Sequence, residues 1–112
     1  QVGHQNNARI DQLGNENDAS ITQTGNSNNG LIIQAGDLNI AFMTQDGELN
    51  LGTIDQSGGG NTAIMTQIGE NNVGSIFQTG SGNVANMMQN GNSNTATITQ
   101  SGMGLPLITP GN

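Results

Sequence analysis

Residues 12–23 of the chain read QLGNENDASITQ, and residues 34–45 read QAGDLNIAFMTQ. Both stretches begin and end with glutamine, and both carry glycine, asparagine and alanine at the same offsets. The pattern recurs at a period of eleven without an insertion or a deletion, which indicates a repeat architecture. The repeating unit is Asn-x-Ala-x-Ile-x-Gln-x-Gly-x-x, in which glycine can replace alanine and methionine can replace isoleucine.

The fixed residues of the unit stand at every second position, which is the periodicity of a β-strand with one constant face. The glutamines are Gln1, Gln12, Gln23, Gln34, Gln45, Gln56, Gln67, Gln78, Gln89 and Gln100. The asparagines are Asn6, Asn17, Asn28, Asn39, Asn50, Asn61, Asn72, Asn83 and Asn94. The predicted apolar core consists of Ala8, Ile10, Ala19, Ile21, Ile32, Ala41, Met43, Ile54, Ala63, Met65, Ile76, Ala85, Met87, Ala96 and Ile98. The glycines, predicted to supply positive φ in turns, are Gly3, Gly14, Gly25, Gly36, Gly47, Gly58, Gly69, Gly80, Gly91 and Gly102.

Each unit is therefore predicted to form a seven-residue strand, such as residues 6–12, followed by a four-residue turn. A chain of such strands without helices buries its constant face by coiling, which predicts an all-β, parallel, in-register β-solenoid. Alternate units carry different apolar ladders, one all isoleucine and one rich in methionine, so the true period is two units. The prediction is two strands per coil and about five coils, spaced about 4.8 Å apart. Residues 1–104 form this single solenoid, and residues 105–112 form a degenerate tail.

Residue sizes predict which side chains face each other between the two sheets. An arch around the four-residue turn sets Met43 against Gly30 and Met65 against Gly52, so that a long side chain meets a small one. Pairing across the other turn, which sets Ile21 against Gly30, matches the sizes less well. The arch predicts that Gly52→Ala combined with Met65→Ile is nearly neutral.

The inward glutamines and asparagines are predicted to form amide ladders along the solenoid axis. A side-chain amide can donate to and accept from the identical amide in the coils above and below it. Buried polar groups are thereby satisfied without a partner of another kind.

Composition excludes several classes of protein. Apolar residues make up 31% of the chain and aromatic residues 2%, which is too little for the core of an ordinary enzyme of this length. The net charge of −7, with Arg9 as the only basic residue besides one histidine, argues against nucleic acid as a partner. Cysteine is absent, and no apolar run approaches the length of a membrane span. No signal-peptide core stands at the start, so a secreted protein would be in its mature form here.

No catalytic, cofactor or metal site is predicted. His4 is the only histidine, and no serine, histidine and acid constellation suits nucleophilic catalysis. Glu48 and Glu70 lie two units apart and should stack in adjacent coils near Asp46, where a weakly bound cation is a minor alternative. The acids in the middle of the chain are interpreted as brakes on premature stacking. These acids are Asp37, Asp46, Glu48, Asp55 and Glu70.

Two soluble-protein functions compete with a structural role. Ice binding would use regular threonine rows, but a stacked outward row mixes Arg9, Leu31, Thr53 and Ser75 before it reaches Thr97. A carbohydrate-binding or adhesin solenoid would use exposed aromatic side chains, and Phe42 and Phe77 are the only aromatic residues.

The pattern Gln-x-Gly-x-x-Asn-x-Ala-x-x-x-Gln, intact over residues 12–23 and 34–45, resembles the curlin repeat of bacterial curli fibres. The resemblance covers residues 1–104 and implies a secreted, non-enzymatic structural subunit of extracellular amyloid fibres in the biofilm matrix, with a role in cell adhesion. It implies as partners other copies of this chain, a nucleator subunit, an outer-membrane secretion channel and periplasmic chaperones. Asn17 stands where the family often has serine. The absence of lysine favours a major over a minor subunit.

The two ends of the repeat region are predicted to differ. The first coil begins in full register at Gln1, so its strand edges are expected to be open and to template head-to-tail stacking of chains into a filament. At the other end Leu105 and Leu107 replace asparagine and alanine, and Pro106 and Pro110 remove backbone donors. We expect this tail not to form a regular strand, so that truncation after Gly104 leaves fibre formation intact.

Overall fold

The computed structural model describes residues 1–103 of the 112, so the predicted tail, residues 105–112, lies outside the described residues. The described chain is built from β-strands and short connections. The strands are β1 (Val2–His4), β2 (Asn7–Leu13), β3 (Asp18–Asn26), β4 (Asn29–Asp37), β5 (Ile40–Glu48), β6 (Leu51–Gly59), β7 (Thr62–Glu70), β8 (Val73–Ser81), β9 (Val84–Asn90) and β10 (Thr95–Met103).

The strands form two five-stranded parallel sheets. Sheet A has the order β1-β3-β5-β7-β9, and sheet B has the order β2-β4-β6-β8-β10. Each strand pairs in register with the next strand but one along the chain, so that Met43 pairs with Met65 and Ile54 pairs with Ile76. The predicted parallel β-solenoid of about five coils, with two strands and two repeat units in each coil, is therefore confirmed.

The core is a thin apolar layer between the two sheets. Its largest members are stacked isoleucines from sheet B and stacked methionines from sheet A, each with almost no exposed surface. The buried apolar residues are Ile32, Ala41, Met43, Ile54, Ala63, Met65, Ile76, Ala85, Met87 and Ile98. Because every coil contributes the same positions, the core has the same cross-section along the solenoid.

Burial differs from the prediction at the first coil. Ile10 is 40% exposed, whereas Ile54 at the same position two coils later is 0% exposed. Ala8 is also exposed, so both residues were wrongly assigned to the core of the described chain. The remaining predicted core residues, Ala19, Ile21 and Ala96, are half-buried and pack against the core. The cause at Ala8 and Ile10 is that an inward side chain is covered partly by the neighbouring coils, and within the described residues no strand of sheet B stacks before β2.

The predicted boundary between strand and turn is wrong. Seven of the strands are nine residues long, and they continue through the glycine for one further residue. Gly25 pairs with Gly47 inside the parallel ladder, as Gly36 does with Gly58. The chain then reverses in two residues, for example at positions 27–28, instead of four. Since the glycines keep their places in the ladder, they form strand ends at the corners of the coil.

Each corner needs two residues with positive φ, and the sequence pattern identified only one of them. The glycine supplies the first, with φ of 109° at Gly25 and 118° at Gly58. The second lies two residues later and has φ near 60°. It is occupied by Gln5, Glu16, Ser27, Leu38, Leu49, Gly60, Asn71, Gly82 and Ser93. Most residues with a side chain rarely adopt this left-handed conformation. Because seven of these nine residues are not glycine, the fold imposes the conformation on them.

Small residues face more large side chains than the arch predicted. The arch paired each glycine with one large residue, whereas the structure places two against it. A Cβ atom placed on Gly30 would lie 2.9 Å from the Met43 sulfur and 3.1 Å from Ile21 Cγ2. One placed on Gly52 would lie 2.8 Å from the Met43 sulfur and 3.0 Å from the Met65 sulfur. The two sheets are therefore staggered, and Gly30 and Gly52 each face large side chains from two successive coils.

This stagger changes the expected outcome of the compensating substitution. Gly52→Ala with Met65→Ile still leaves the Met43 sulfur against the new methyl group, so we expect this double variant to assemble more slowly than wild type. Adding Met43→Ile should restore the rate, because overpacking of about 1–3 kcal/mol is then relieved on both sides. Thioflavin half-times of the double and triple variants, with Met43→Ile/Met65→Ile as the control, measure this. A double variant as fast as wild type would contradict the two-sided contact.

Candidate functional site: buried amide ladders

The glutamines form two continuous ladders, one in each sheet. In sheet A, Gln23 Nε2 donates to Gln45 Oε1 at 2.8 Å, and Gln45 Nε2 donates to Gln67 Oε1 at 2.8 Å. In sheet B, Gln34 Nε2 donates to Gln56 Oε1 at 2.9 Å. All the glutamines from Gln23 to Gln100 are buried, whereas Gln1 and Gln12 in the first coil are exposed. The glutamine side chains thus link successive coils inside the core, in addition to the backbone hydrogen bonds that link the same coils.

Each buried glutamine also binds the facing sheet. Gln56 Nε2 donates to the backbone carbonyl oxygen of Ile40 at 2.9 Å, and Gln67 Nε2 donates to that of Leu51 at 2.9 Å. Both amide hydrogens are therefore used, one along the axis and one across the solenoid. This second bond ties sheet A to sheet B at each level, which the alternating sequence pattern alone did not predict.

The asparagines hold the corners. Asn61 Nδ2 donates to Asn39 Oδ1 at 3.1 Å in the preceding coil and to the Gly80 carbonyl oxygen at 2.9 Å in the following coil. Its backbone N–H also donates to Asn39 Oδ1 at 3.1 Å. The asparagines of the repeat position are buried from Asn28 to Asn83, at every eleventh residue, while Asn6, Asn17 and Asn94 near the ends are half-buried. Asparagine is thus a corner clamp that joins three coils as well as a rung of an amide ladder.

The two kinds of ladder run in opposite directions. Each glutamine amide donates toward the carboxyl end of the chain, as Gln45 does to Gln67. In the asparagine ladders, the link from one side chain to the next donates toward the amino end, as from Asn72 Nδ2 to Asn50 Oδ1 at 3.1 Å. The two kinds of ladder therefore point opposite amide atoms toward a given end of the stack.

The asparagines form two ladders, and the one that contains Asn39 and Asn61 ends, within residues 1–103, at Asn83. Asn61 Oδ1 accepts from both the backbone and the side chain of Asn83, at 3.0 Å each. Within residues 1–103, Asn83 Oδ1 is buried and has no donor. The next asparagine of this row would stand at position 105, which is leucine.

The glycine at each corner admits the close approach of successive coils. A Cβ atom on Gly58 would overlap the Gly80 carbonyl oxygen, and one on Gly36 would overlap that of Gly58. These same carbonyl oxygens accept hydrogen bonds from asparagine, as Gly80 does from Asn61 and Gly58 does from Asn39 at 2.9 Å. A side chain at this position would therefore disturb both the spacing of the coils and the asparagine clamp.

The acidic residues lie on the surface. Glu48 pairs with Glu70 in register, as predicted, and Glu48 also accepts a hydrogen bond from Asn26 Nδ2 at 3.2 Å. Arg9 forms an exposed ion pair with Asp11 at 2.7 Å. Over residues 1–103, no three histidine or acidic side chains lie close enough together to hold a metal ion. The backbone N–H of His4 donates a hydrogen bond to Asn26 Oδ1 at 3.2 Å.

No helix within residues 1–103 is long and apolar enough to cross a membrane.

Comparison with known proteins supports the same pattern of repeats. No curated protein matches the chain. The family model described as Curlin associated repeat matches residues 1–25, 14–47, 41–69 and 69–102, which together cover nearly all of the chain. The chain therefore belongs to the curlin associated repeat family.

Proposed function

We propose that this chain is a structural subunit of an extracellular, curli-like amyloid fibre that grows by head-to-tail stacking of solenoids. The observation that carries the proposal is that successive complete coils contact each other in the same way, through identical register and identical amide ladders. The upper surface of one complete coil therefore fits the lower surface of another. Such a heterologous contact does not close on itself and so generates a filament.

The first described coil is compatible with this proposal, because a further coil stacked on it would bury its inward side chains. Ile10 and Gln12 are exposed, although the same positions in later coils are buried. The edges of β2 and β10 also present different sets of backbone groups. Outward residues donate to the following coil, as Asn7 N–H does to the Asn28 carbonyl oxygen at 2.8 Å, while inward residues bind the preceding coil. Stacking of unlike edges then fixes one polarity for the filament.

Charge also favours contact between the two unlike ends. Residues 71–103 contain no charged side chain, whereas the first coil carries Arg9, Asp11, Glu16 and Asp18. A junction between the last coil of one copy and the first coil of another therefore opposes no like charges. The acids in the middle of the chain lie away from this junction. There they limit other modes of association.

The family membership extends the proposal to location and partners. The repeat region predicted over residues 1–104 would act as the assembling unit of a secreted, cell-surface fibre in a biofilm, without catalytic activity or cofactor. The proposed partners are other copies of the chain, a nucleator subunit, an outer-membrane secretion channel and periplasmic chaperones. Detection of the chain in surface fibres by immunogold labelling of whole cells tests this part.

Purified protein is expected to assemble spontaneously into thioflavin-positive fibres. Aligned fibres should give reflections at about 4.8 Å along the axis and about 10 Å across it, from the strand spacing and the sheet spacing. Thioflavin fluorescence, electron microscopy and fibre diffraction measure this. Protein that stays monomeric for days at tens of micromolar would overturn the proposed function.

A further inference from the structure

The outer face of sheet A carries an exposed apolar patch. We define this patch by three outward rows that cross β3, β5, β7 and β9. One row is Asp18, Ile40, Thr62 and Val84, the next is Ser20, Phe42, Ile64 and Asn86, and the third is Thr22, Thr44, Thr66 and Met88. Ile40, Phe42, Ile64, Val84 and Met88 are each between 36% and 54% exposed. Asp18, in the first of these strands, is the only charged residue of the patch.

The outer face of sheet B has exposed apolar residues too, such as Leu51, Val73 and Phe77, but Asp55 lies in the central strand of this face. The row of Ile33 and Phe77 contains Asp55 between them, and Asp11 precedes Ile33. Leu31 follows Arg9 in the neighbouring row. Burial of Asp55 against another apolar surface would leave a carboxylate without water or a partner, which is costly. Only sheet A therefore offers an uncharged centre.

Side-chain properties of the patch suit a dry contact between two sheets. The segments Ile40–Thr44 and Thr62–Ile68 are rich in β-branched and aromatic residues, contain no proline, and lack charge and glycine. These properties characterise segments whose sheets interdigitate as steric zippers. A contact centred on the row of Phe42 and Ile64 also leaves Asp46 and Glu48, further along the strand, outside the overlap.

The size of the face indicates what can cover it. Five strands about 4.8 Å apart and about 30 Å long give a face of roughly 700 Å² for each subunit. A stable dimer needs about 800 Å² from each partner, usually over a well-packed surface, and the patch covers only part of the face. Two single chains are thus not expected to pair. In a filament the patch repeats at every subunit, so the contact area grows with filament length.

We propose that the patch on sheet A docks onto the same patch of a second filament of this chain, so that the mature fibre is a pair of solenoid filaments joined face to face. The inference rests on the proposed function, because the pairing requires a filament. Stacking and pairing then use different surfaces: strand edges build the filament, and the outer face of sheet A joins two filaments.

Mass per length of fibres, measured by scanning transmission electron microscopy, tests the pairing. Wild-type fibres are expected to contain two subunits in each axial repeat of about 24 Å, the height of five coils. Ile64→Glu places a charge at the centre of the patch and should reduce the mass per length twofold. Ser75→Glu is the matched control, because Ser75 occupies the same position of the repeat unit on sheet B and is not adjacent to another charge. It should leave the mass per length unchanged.

A neutral variant keeps the test independent of any effect of the new charge on stacking. Phe42→Thr combined with Ile64→Thr retains strand propensity, removes the apolar bulk, and should also give single filaments. Wild-type fibres with one subunit in each axial repeat would overturn the pairing and leave the proposed function intact. A loss of pairing in Ser75→Glu but not in Ile64→Glu would also overturn it. Absence of any wild-type fibre would overturn both proposals.

Discussion

Gly58→Ala is expected to abolish assembly. The new methyl group would overlap the Gly80 carbonyl oxygen in the next coil, and Gly58 has φ of 118°, which residues with a Cβ atom rarely adopt. The strained backbone alone costs about 1–3 kcal/mol. The overlap adds to this cost because the obstacle is backbone in a hydrogen-bonded ladder and cannot move away without breaking the register. Thioflavin kinetics with and without wild-type seeds measure the loss.

The adjacent glycine provides a matched control. Gly59 has no positive φ, and a Cβ atom there would lie 3.7 Å from its nearest neighbour, the Asp37 carbonyl oxygen, which is an ordinary contact. Gly59→Ala should therefore assemble at the wild-type rate. If Gly58→Ala assembles as fast as Gly59→Ala, the coils are not in the close contact that the structure shows at the glycine corners.

Asn61→Leu is expected to have the second largest effect. Leucine fits the approximate volume but removes the donors to Asn39 Oδ1 and the Gly80 carbonyl oxygen, and also removes the acceptor for Asn83. Each buried polar group left without a partner costs about 1–3 kcal/mol, and at least two groups are affected. We expect seeded elongation to slow by roughly tenfold or more, since each increase of about 1.4 kcal/mol in the barrier to subunit addition lowers the rate tenfold.

Ser57→Leu is the control for Asn61→Leu. It adds the same hydrophobic side chain without removing an amide. Ser57 is exposed on the outer face of sheet B, so leucine there adds apolar surface without touching the ladders. Its elongation rate should stay close to that of wild type. Equal slowing of Asn61→Leu and Ser57→Leu would show that the amide clamp does not control addition of subunits.

Several features of the fold were predictable because they depend on spacing. Residues at every second position share one face of a strand, so the alternation from Asn28 to Gln34 was sufficient to assign its inward side. The difference between the isoleucine ladder and the ladder of Met43 and Met65 was sufficient to set two strands per coil. In both cases the strict period predicts contacts between coils, since residues that lie two units apart in the chain stack on each other.

The features that were missed depend on how the coils sit in three dimensions. The exposure of Ala8 and Ile10 follows from their place at an end of the described stack, where an identical unit has different neighbours. The two-sided contact of Gly52 with Met43 and Met65 follows from the stagger of the sheets, which no spacing within one sheet records. Leu38 has φ of 61° because the corner requires it, although leucine itself gives no such signal.

By itself, the sequence determined the repeat, the inward face, the number of strands in a coil and the continuous amide rows, because all of these follow from the period of eleven and from the difference between alternate units. Only the tertiary structure decided that glycine stays in the ladder, that each glutamine bridges the two sheets, and that asparagine clamps three coils. It also showed that the apolar rows on sheet A remain uncovered by the rest of the described chain. These properties depend on distances between strands and on the direction of amide groups, which the order of residues along one strand does not contain.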